Sequence, residues 1–148
     1  LDQTLAREIA HAARSGYPLS LIMMDVDRFK SINDRFGHKM GDQVISSIGK
    51  LLQQQTRESD CVSRYGGDEF LLVMPEMPRE CAFERAELWR EGIKAMALQS
   101  GDEIVQVTIS IGIATFPQDG SRVDDLVKAA DDAMYKAKES GRDRTVLA

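Results

Sequence analysis

A chain of 148 residues is long enough for one domain with a real core and too short for two ordinary ones. With 43% hydrophobic and 29% charged residues, it has the make-up of a soluble globular protein, and no apolar run approaches the roughly 20 residues of a membrane-spanning helix. A net charge of −5 with scattered Lys and Arg lacks the basic footprint of a nucleic-acid binder. Cys61 and Cys81 fall in no metal-ligand spacing and read as small buried hydrophobes in a reducing compartment, while His11 and His38 lie too far apart for zinc.

The start, LDQTLAREIAHAARSGYP, is helical and polar-faced, unlike a secretory signal, with Leu1, Leu5, Ile9 and Ala13 forming one apolar stripe. LSLIMM, residues 19–24, is the continuous apolar run expected of a strand buried on both faces. After Gly41, residues Val44, Ile45, Ile48, Leu51 and Leu52 trace a helical face. CVSRY and EFLLVM flank Gly66-Gly67 and predict a β-hairpin, with the glycines supplying positive φ angles. Pro75 and Pro78 precede a helix that buries Ala82, Ala86, Trp89, Ile93 and Met96. In EIVQVTISIGIATFP, residues Val105, Val107, Ile109, Ile111 and Ile113 alternate with Gln106, Thr108 and Ser110, which predicts one strand. Ser121 with Asp124 resembles a capping box for a last helix that Gly141 stops. Strand, two helices, hairpin, helix, strand, helix is close to the β-α-β-β-α-β order of a ferredoxin-like α+β sheet flanked by helices. One domain over residues 1–148 is expected, with no internal repeat or linker.

Chemistry concentrates in two acidic pairs. Asp25 and Asp27 stand at the end of the buried strand, on one side of the sheet, and the hairpin tip can bring Asp68 and Glu69 beside Asp25. Carboxylates gathered there repel one another, and a divalent cation relieves this; Mg²⁺ suits it best, held by one or two carboxylates with phosphates and water. Gly66 and Gly67, having no Cβ, let a ligand approach the hairpin backbone; the plainer alternative is a polar surface turn. Lys30 and the backbone amides of Arg28 and Phe29 are suited to phosphate. Asn33 and Asp42 can read a guanine edge, although either alone reads equally as a cap or turn residue. Lys138 and Arg142 flank the end of the last helix, where basic charge also complements the helix dipole.

DVDRFKSINDRFGHKMGD, RYGGDEF and DDAMYKAKESGRDR, in this order, closely resemble the GGDEF family of diguanylate cyclases, and the resemblance covers about Pro18 to Arg142. It implies a nucleotidyl-cyclase-like fold, and the condensation of two GTP to cyclic di-GMP with release of two pyrophosphates by a homodimer that shares its active site. It further implies Mg²⁺ (or Mn²⁺) held by Asp25, the carbonyl of Val26, Asp68 and Glu69, with Asp68 as candidate base for the attacking 3′-hydroxyl. By the same resemblance Lys30, Lys138 and Arg142 are phosphate contacts, Asn33 and Asp42 guanine readers, and His38 a neighbour of that pocket.

Arg57 and Asp60, in RESD with five residues between Asp60 and Gly66, match the family's RxxD site where the product binds and inhibits. Either Arg85 or Arg90 completes it; the plainer alternative is a surface ion pair. The family's D-x-L-T-G-L-x-N-R segment is absent, so the expectation is a cytoplasmic catalytic domain from a longer protein, with an upstream sensory region and an optional membrane anchor. The rival reading is a silent domain that binds GTP or cyclic di-GMP and signals through protein contacts. Intact Asp25, Asp68 and Glu69 favour catalysis.

Overall fold

A computed structural model describes residues 2–148 of the chain. Strand β1 (Leu19–Val26) is buried at all eight positions, as its unbroken apolar run requires. It pairs antiparallel with β3 (Glu69–Pro75) on one side and β6 (Ile109–Phe116) on the other. β2 (Cys61–Arg64) extends the sheet beyond β3, and β7 (Arg144–Leu147) runs parallel to β6 at the opposite edge, giving the order β2-β3-β1-β6-β7. The first four strands of that order reproduce the ferredoxin-like arrangement.

Alternation along the strands divides the core. Ile22, Met24, Phe70, Leu72, Ile111 and Ile113 pack under helices α2 (Phe29–Phe36), α3 (His38–Gln55) and α4 (Arg79–Lys94). Leu19, Leu21, Met23, Leu71, Val73 and Ala114 face helices α1 (Asp2–Ser15) and α5 (Val123–Glu139). Asp25 and Glu69 continue the second set by period two, so the acidic end of the sheet lies on the α5 side. α5 can lie close because β6 carries Gly112: a Cβ there would stand 2.1 Å from the Ala130 carbonyl oxygen.

Several expectations are corrected. In α1 the buried residues are Leu5, Ile9 and Ala12, with Ala13 exposed, because a 3.6-residue repeat drifts off a spacing of four; Leu1 lies outside the described residues. α3 starts at His38, not after Gly41, so Met40 and Gly41 are already buried. Met96 lies beyond the end of α4 and is only partly buried. Cys81 is exposed, one position off the buried face marked by Ala82, and Cys61 is half-buried.

The segment from Glu103 is not one strand. β5 (Glu103–Val105) folds back on β4 (Leu98–Ser100) as a separate hairpin, and β6 begins at Ile109. The side-chain alternation survives, since Val105, Val107, Ile109, Ile111 and Ile113 share one core; only the backbone partner changes. The residue before α5 is Arg122, in extended conformation with no side-chain cap bond, so Ser121 and Asp124 make no capping box. At the other end Gly141 takes φ 125° and the Arg142 amide donates to the Ala137 carbonyl at 2.9 Å, a Schellman stop as expected.

Candidate active site

Asp25 and Glu69 are direct cross-strand partners in the β1–β3 ladder. The Val26 amide donates to the Asp68 carbonyl at 3.0 Å, and the Tyr65 amide to the Glu69 carbonyl at 2.9 Å, which fastens the hairpin tip against the end of β1. Neither Gly66 nor Gly67 has positive φ, so the expected turn chemistry is not what these glycines provide. A Cβ on Gly67 would meet nothing within 4 Å, and one on Gly66 would meet only the Glu69 side chain, at 3.2 Å. Their lack of side chains leaves open space over the hairpin.

Asp25 is 4% exposed, with Oδ2 bonded to the Lys138 ammonium and Oδ1 buried without a partner. Burial pushes its pKa up to about 7; Lys138 opposes this, and the nearby charge of Asp68 adds to it. Glu69 is also raised, by burial first and then by Asp68 and Asp131. These acids therefore hold their negative charge at a cost that a cation would remove.

Among the described residues no three carboxylate, imidazole or thiolate groups are gathered as a ready-made metal cage. The donor set nonetheless fits Mg²⁺, which needs only one or two carboxylates before phosphates and water complete its octahedron. The unpartnered Asp25 Oδ1 and the adjacent Asp68 are such a pair.

Asp27, expected in the same carboxylate group, belongs to a different network. Its Oδ1 accepts from Ser110 Oγ at 2.6 Å, and its Oδ2 from Thr108 Oγ1 at 2.7 Å and the Asp143 amide at 3.0 Å. The period-two pattern puts it on the same face as Asp25, but its oxygens are already satisfied. The fourth acid of the cluster is instead Asp131 of α5, close enough to raise Glu69. Its distance along the chain from both acidic pairs hid it from sequence reading.

Beyond β1 the chain turns through Arg28, which adopts the left-handed conformation at φ 53° and opens α2 with no side-chain cap. The first-turn amides of α2, that of Phe29 included, thus have no side-chain cap, which is the condition for an anion site at a helix N-terminus. Lys30 is exposed and makes no ion pair among the described residues. Asn33 nests against Gly41, where a Cβ would stand 1.8 Å from its Oδ1. This brings half-buried Asn33 next to exposed Asp42 where α2 packs on α3. His38, the first residue of α3, is exposed nearby. Lys138 lies at Asp25, and Arg142 follows one turn later.

Arg57 and Asp60 form a separate constellation. Arg57 Nη2 donates to Asp60 Oδ1 at 2.8 Å and to the Pro75 carbonyl at 2.7 Å, and Asp60 Oδ2 accepts the Arg57 amide. Arg85 donates to the Gln55 carbonyl at 2.7 Å, two residues before Arg57. Arg90 is committed to Glu87, Glu91 and Asp143. Of the two candidates only Arg85 reaches this neighbourhood.

A cavity of about 560 Å³ lies between α3 and β2, lined by Gly49, Lys50, Gln53, Val62, Arg64 and Phe70. It adjoins the hairpin but includes none of the acids, so the site is defined by the carboxylate geometry.

The family model for the diguanylate cyclase GGDEF domain matches residues 1–144. The chain belongs to the GGDEF family. This GGDEF domain is 40% identical over 148 residues to the diguanylate cyclase DosC of Escherichia coli K12, covering 99% of the chain and 32% of that protein. It is 36% identical over 129 residues to diguanylate cyclase A of Treponema denticola, covering 87% of the chain and 35% of that protein. The chain thus spans about a third of the length of these curated relatives. Among solved structures, the GGDEF domain of YfiN (TpbB) from Pseudomonas aeruginosa superposes with TM-score 0.94 at 35% identity, covering 99% of this chain and 92% of that one. The GGDEF domain of DgcB from Caulobacter crescentus, solved with cyclic di-GMP, gives 0.91 at 30% identity, covering 99% and 86%.

Proposed function

We propose that this GGDEF domain is a diguanylate cyclase that condenses two GTP into cyclic di-GMP. The observation that carries the reading is the meeting of Asp25, Asp68 and Glu69 at one sheet end, with a buried Asp25 oxygen left unpartnered. In each half-reaction the 3′-oxygen of one GTP bonds to the α-phosphorus of the other. The bond from that phosphorus to the bridging α–β oxygen breaks, pyrophosphate leaves, and the hydroxyl proton passes to a carboxylate. Two such steps close the ring.

Asp68, half-buried at the tip of the hairpin, is assigned as base, and Glu69 supports it. Asp25, Asp68, Glu69 and the Val26 carbonyl would hold Mg²⁺, with Mn²⁺ as substitute; when bound, it polarises the α-phosphate and stabilises charge on the leaving pyrophosphate. Lys30, the amides of Arg28 and Phe29, Lys138 and Arg142 take the phosphates; Gly66 and Gly67 leave room for them. Lys138, bonded to Asp25 in this structure, would be available to phosphate when the site is loaded. Asn33 and Asp42 read guanine, with His38 at the rim.

One domain presents one GTP, so turnover requires two copies face to face, and that geometry is a point of control. Product is expected to inhibit by binding Arg57, Asp60 and Arg85. Use of GTP assigns the domain to the cytoplasm, and no helix among the described residues is long and apolar enough to cross a membrane. A sensory domain elsewhere in the parent protein would supply the input.

The test is GTP turnover with Mg²⁺ across a range of protein concentrations, with products separated chromatographically. Cyclic di-GMP formed more steeply than linearly with protein is the expected result. Guanine-nucleotide binding without product, even after forced dimerisation, would mean a receptor instead.

A further inference from the structure

Between α5 and β7 the chain passes through three consecutive left-handed residues, Gly141, Arg142 and Asp143, with φ of 125°, 63° and 44°. Glycine tolerates this conformation; Arg and Asp keep it only where their surroundings impose it. Four contacts do so. The Arg142 amide donates to the Ala137 carbonyl, and the Asp143 amide to Asp27 Oδ2 at 3.0 Å. Arg90 Nη1 donates to Asp143 Oδ1 and Lys94 Nζ to Asp143 Oδ2, each at 2.7 Å.

The anchors are themselves anchored. Arg90, with its side chain 14% exposed, is bonded to Glu87 and Glu91 on its own helix, and Asp27 is held by Thr108 and Ser110. Arg142 sits between fixed neighbours, and its guanidinium makes no ion pair among the described residues. Every constraint acts on its backbone, leaving the side chain to an incoming ligand.

We propose that Asp143, clamped by Arg90 and Lys94 of α4 and by Asp27 at the end of β1, is a positioning residue that aims Arg142 at the triphosphate of GTP. This rests on the assignment of Arg142 as a phosphate contact. Loss of the clamp lets Asp143 relax out of the left-handed region. The Cα–Cβ direction of Arg142 then swings, and a charge-assisted bond to phosphate is lost.

The experiment is equilibrium binding of 3′-deoxy-GTP, which lacks the attacking hydroxyl and cannot turn over, beside 3′-deoxyguanosine, which lacks phosphates. The full chain is compared with Arg142→Ala, Asp143→Asn, Lys94→Met and the double variant Arg142→Ala/Asp143→Asn. Asp143→Asn is expected to weaken the triphosphate by about tenfold, the scale of one charge-assisted hydrogen bond, and to leave the nucleoside unchanged. The double variant should lose no more than Arg142→Ala alone.

Multiplying losses, or equal losses for nucleoside and triphosphate, would make Asp143 a merely structural residue and overturn the inference. If Asp143→Asn does not fold, Lys94→Met carries the same comparison, since its side chain is 41% exposed. An unchanged triphosphate affinity in it overturns the inference while the phosphate assignment stands. Unchanged affinity in Arg142→Ala removes that assignment, and the inference with it.

Discussion

Asp25 and Glu69 lie directly opposite each other in the β1–β3 ladder, so two acids far apart in sequence share one face at one end of the sheet. Antiparallel pairing brings such side chains within about 5.5 Å at their Cβ atoms. Asp68, next to Glu69, joins them because its carbonyl accepts the Val26 amide.

Replacing Asp68 tests the chemistry with little risk to the fold, because it is half-buried and lies in the turn. Asp68→Asn should lower kcat by about 10²-fold or more while the thermal midpoint stays close to that of the parent. Full turnover would sink the metal and base assignments together.

The pH dependence of stability has a definite sign. Burial and then Asp68 raise the folded Asp25 pKa from an ordinary carboxylate value to about 7, so the folded state holds this proton more tightly than the unfolded chain does. Between about pH 4 and 7 the metal-free protein should therefore lose stability as pH rises. Asp25→Asn should flatten that slope in thermal melts without metal. Added Mg²⁺, which binds the deprotonated acid, should stabilise the parent more at pH 8 than at pH 5. A parent slope that persists in the variant would assign the effect to other groups.

At the product constellation, Arg57→Ala and Arg85→Ala should each relieve inhibition by added cyclic di-GMP, because Arg85 is bonded to the Gln55 carbonyl at the end of α3 and Arg57 follows two residues later. Arg90→Ala should not, since that guanidinium is turned toward Asp143. Progress curves with and without added product measure this; relief in Arg90→Ala but not in Arg85→Ala would reverse the choice.

Gly41→Ala addresses base recognition. The new methyl would occupy the place of Asn33 Oδ1, and because that neighbour is a side chain it can swing away. We expect KM for GTP to rise and discrimination against ATP to fall, with a stability loss of about 1–3 kcal/mol. Unaltered selectivity would remove Asn33 from the guanine-reading pair.

The clamp around Asp143 was not legible in sequence. Asp27, the α4 residues Arg90 and Lys94, and Asp143 come from three separate parts of the chain; Asp27 reads as one of an acidic pair and Arg90 as a candidate for the product site, while Lys94 and Asp143 read as ordinary surface charge. Asp131 was hidden for the same reason. The choice between Arg85 and Arg90 was equally open, since both belong to α4 and only packing shows where each guanidinium is directed.

Local periodicity and spacing were enough for the buried β1 run, the existence of the hairpin, most positions of the helical faces and the Gly141 stop, because side-chain alternation and left-handed glycine are properties of a few neighbouring residues. The three motifs that mark the family were legible too, through their resemblance to it. Only the tertiary structure decided which residues pair. It turned Glu103–Val105 back on Leu98–Ser100, added β7 beside β6, and moved Asp27 out of the acid group into a hydroxyl and amide cradle. Those outcomes depend on hydrogen-bond partners supplied from distant parts of the chain, which no local pattern encodes.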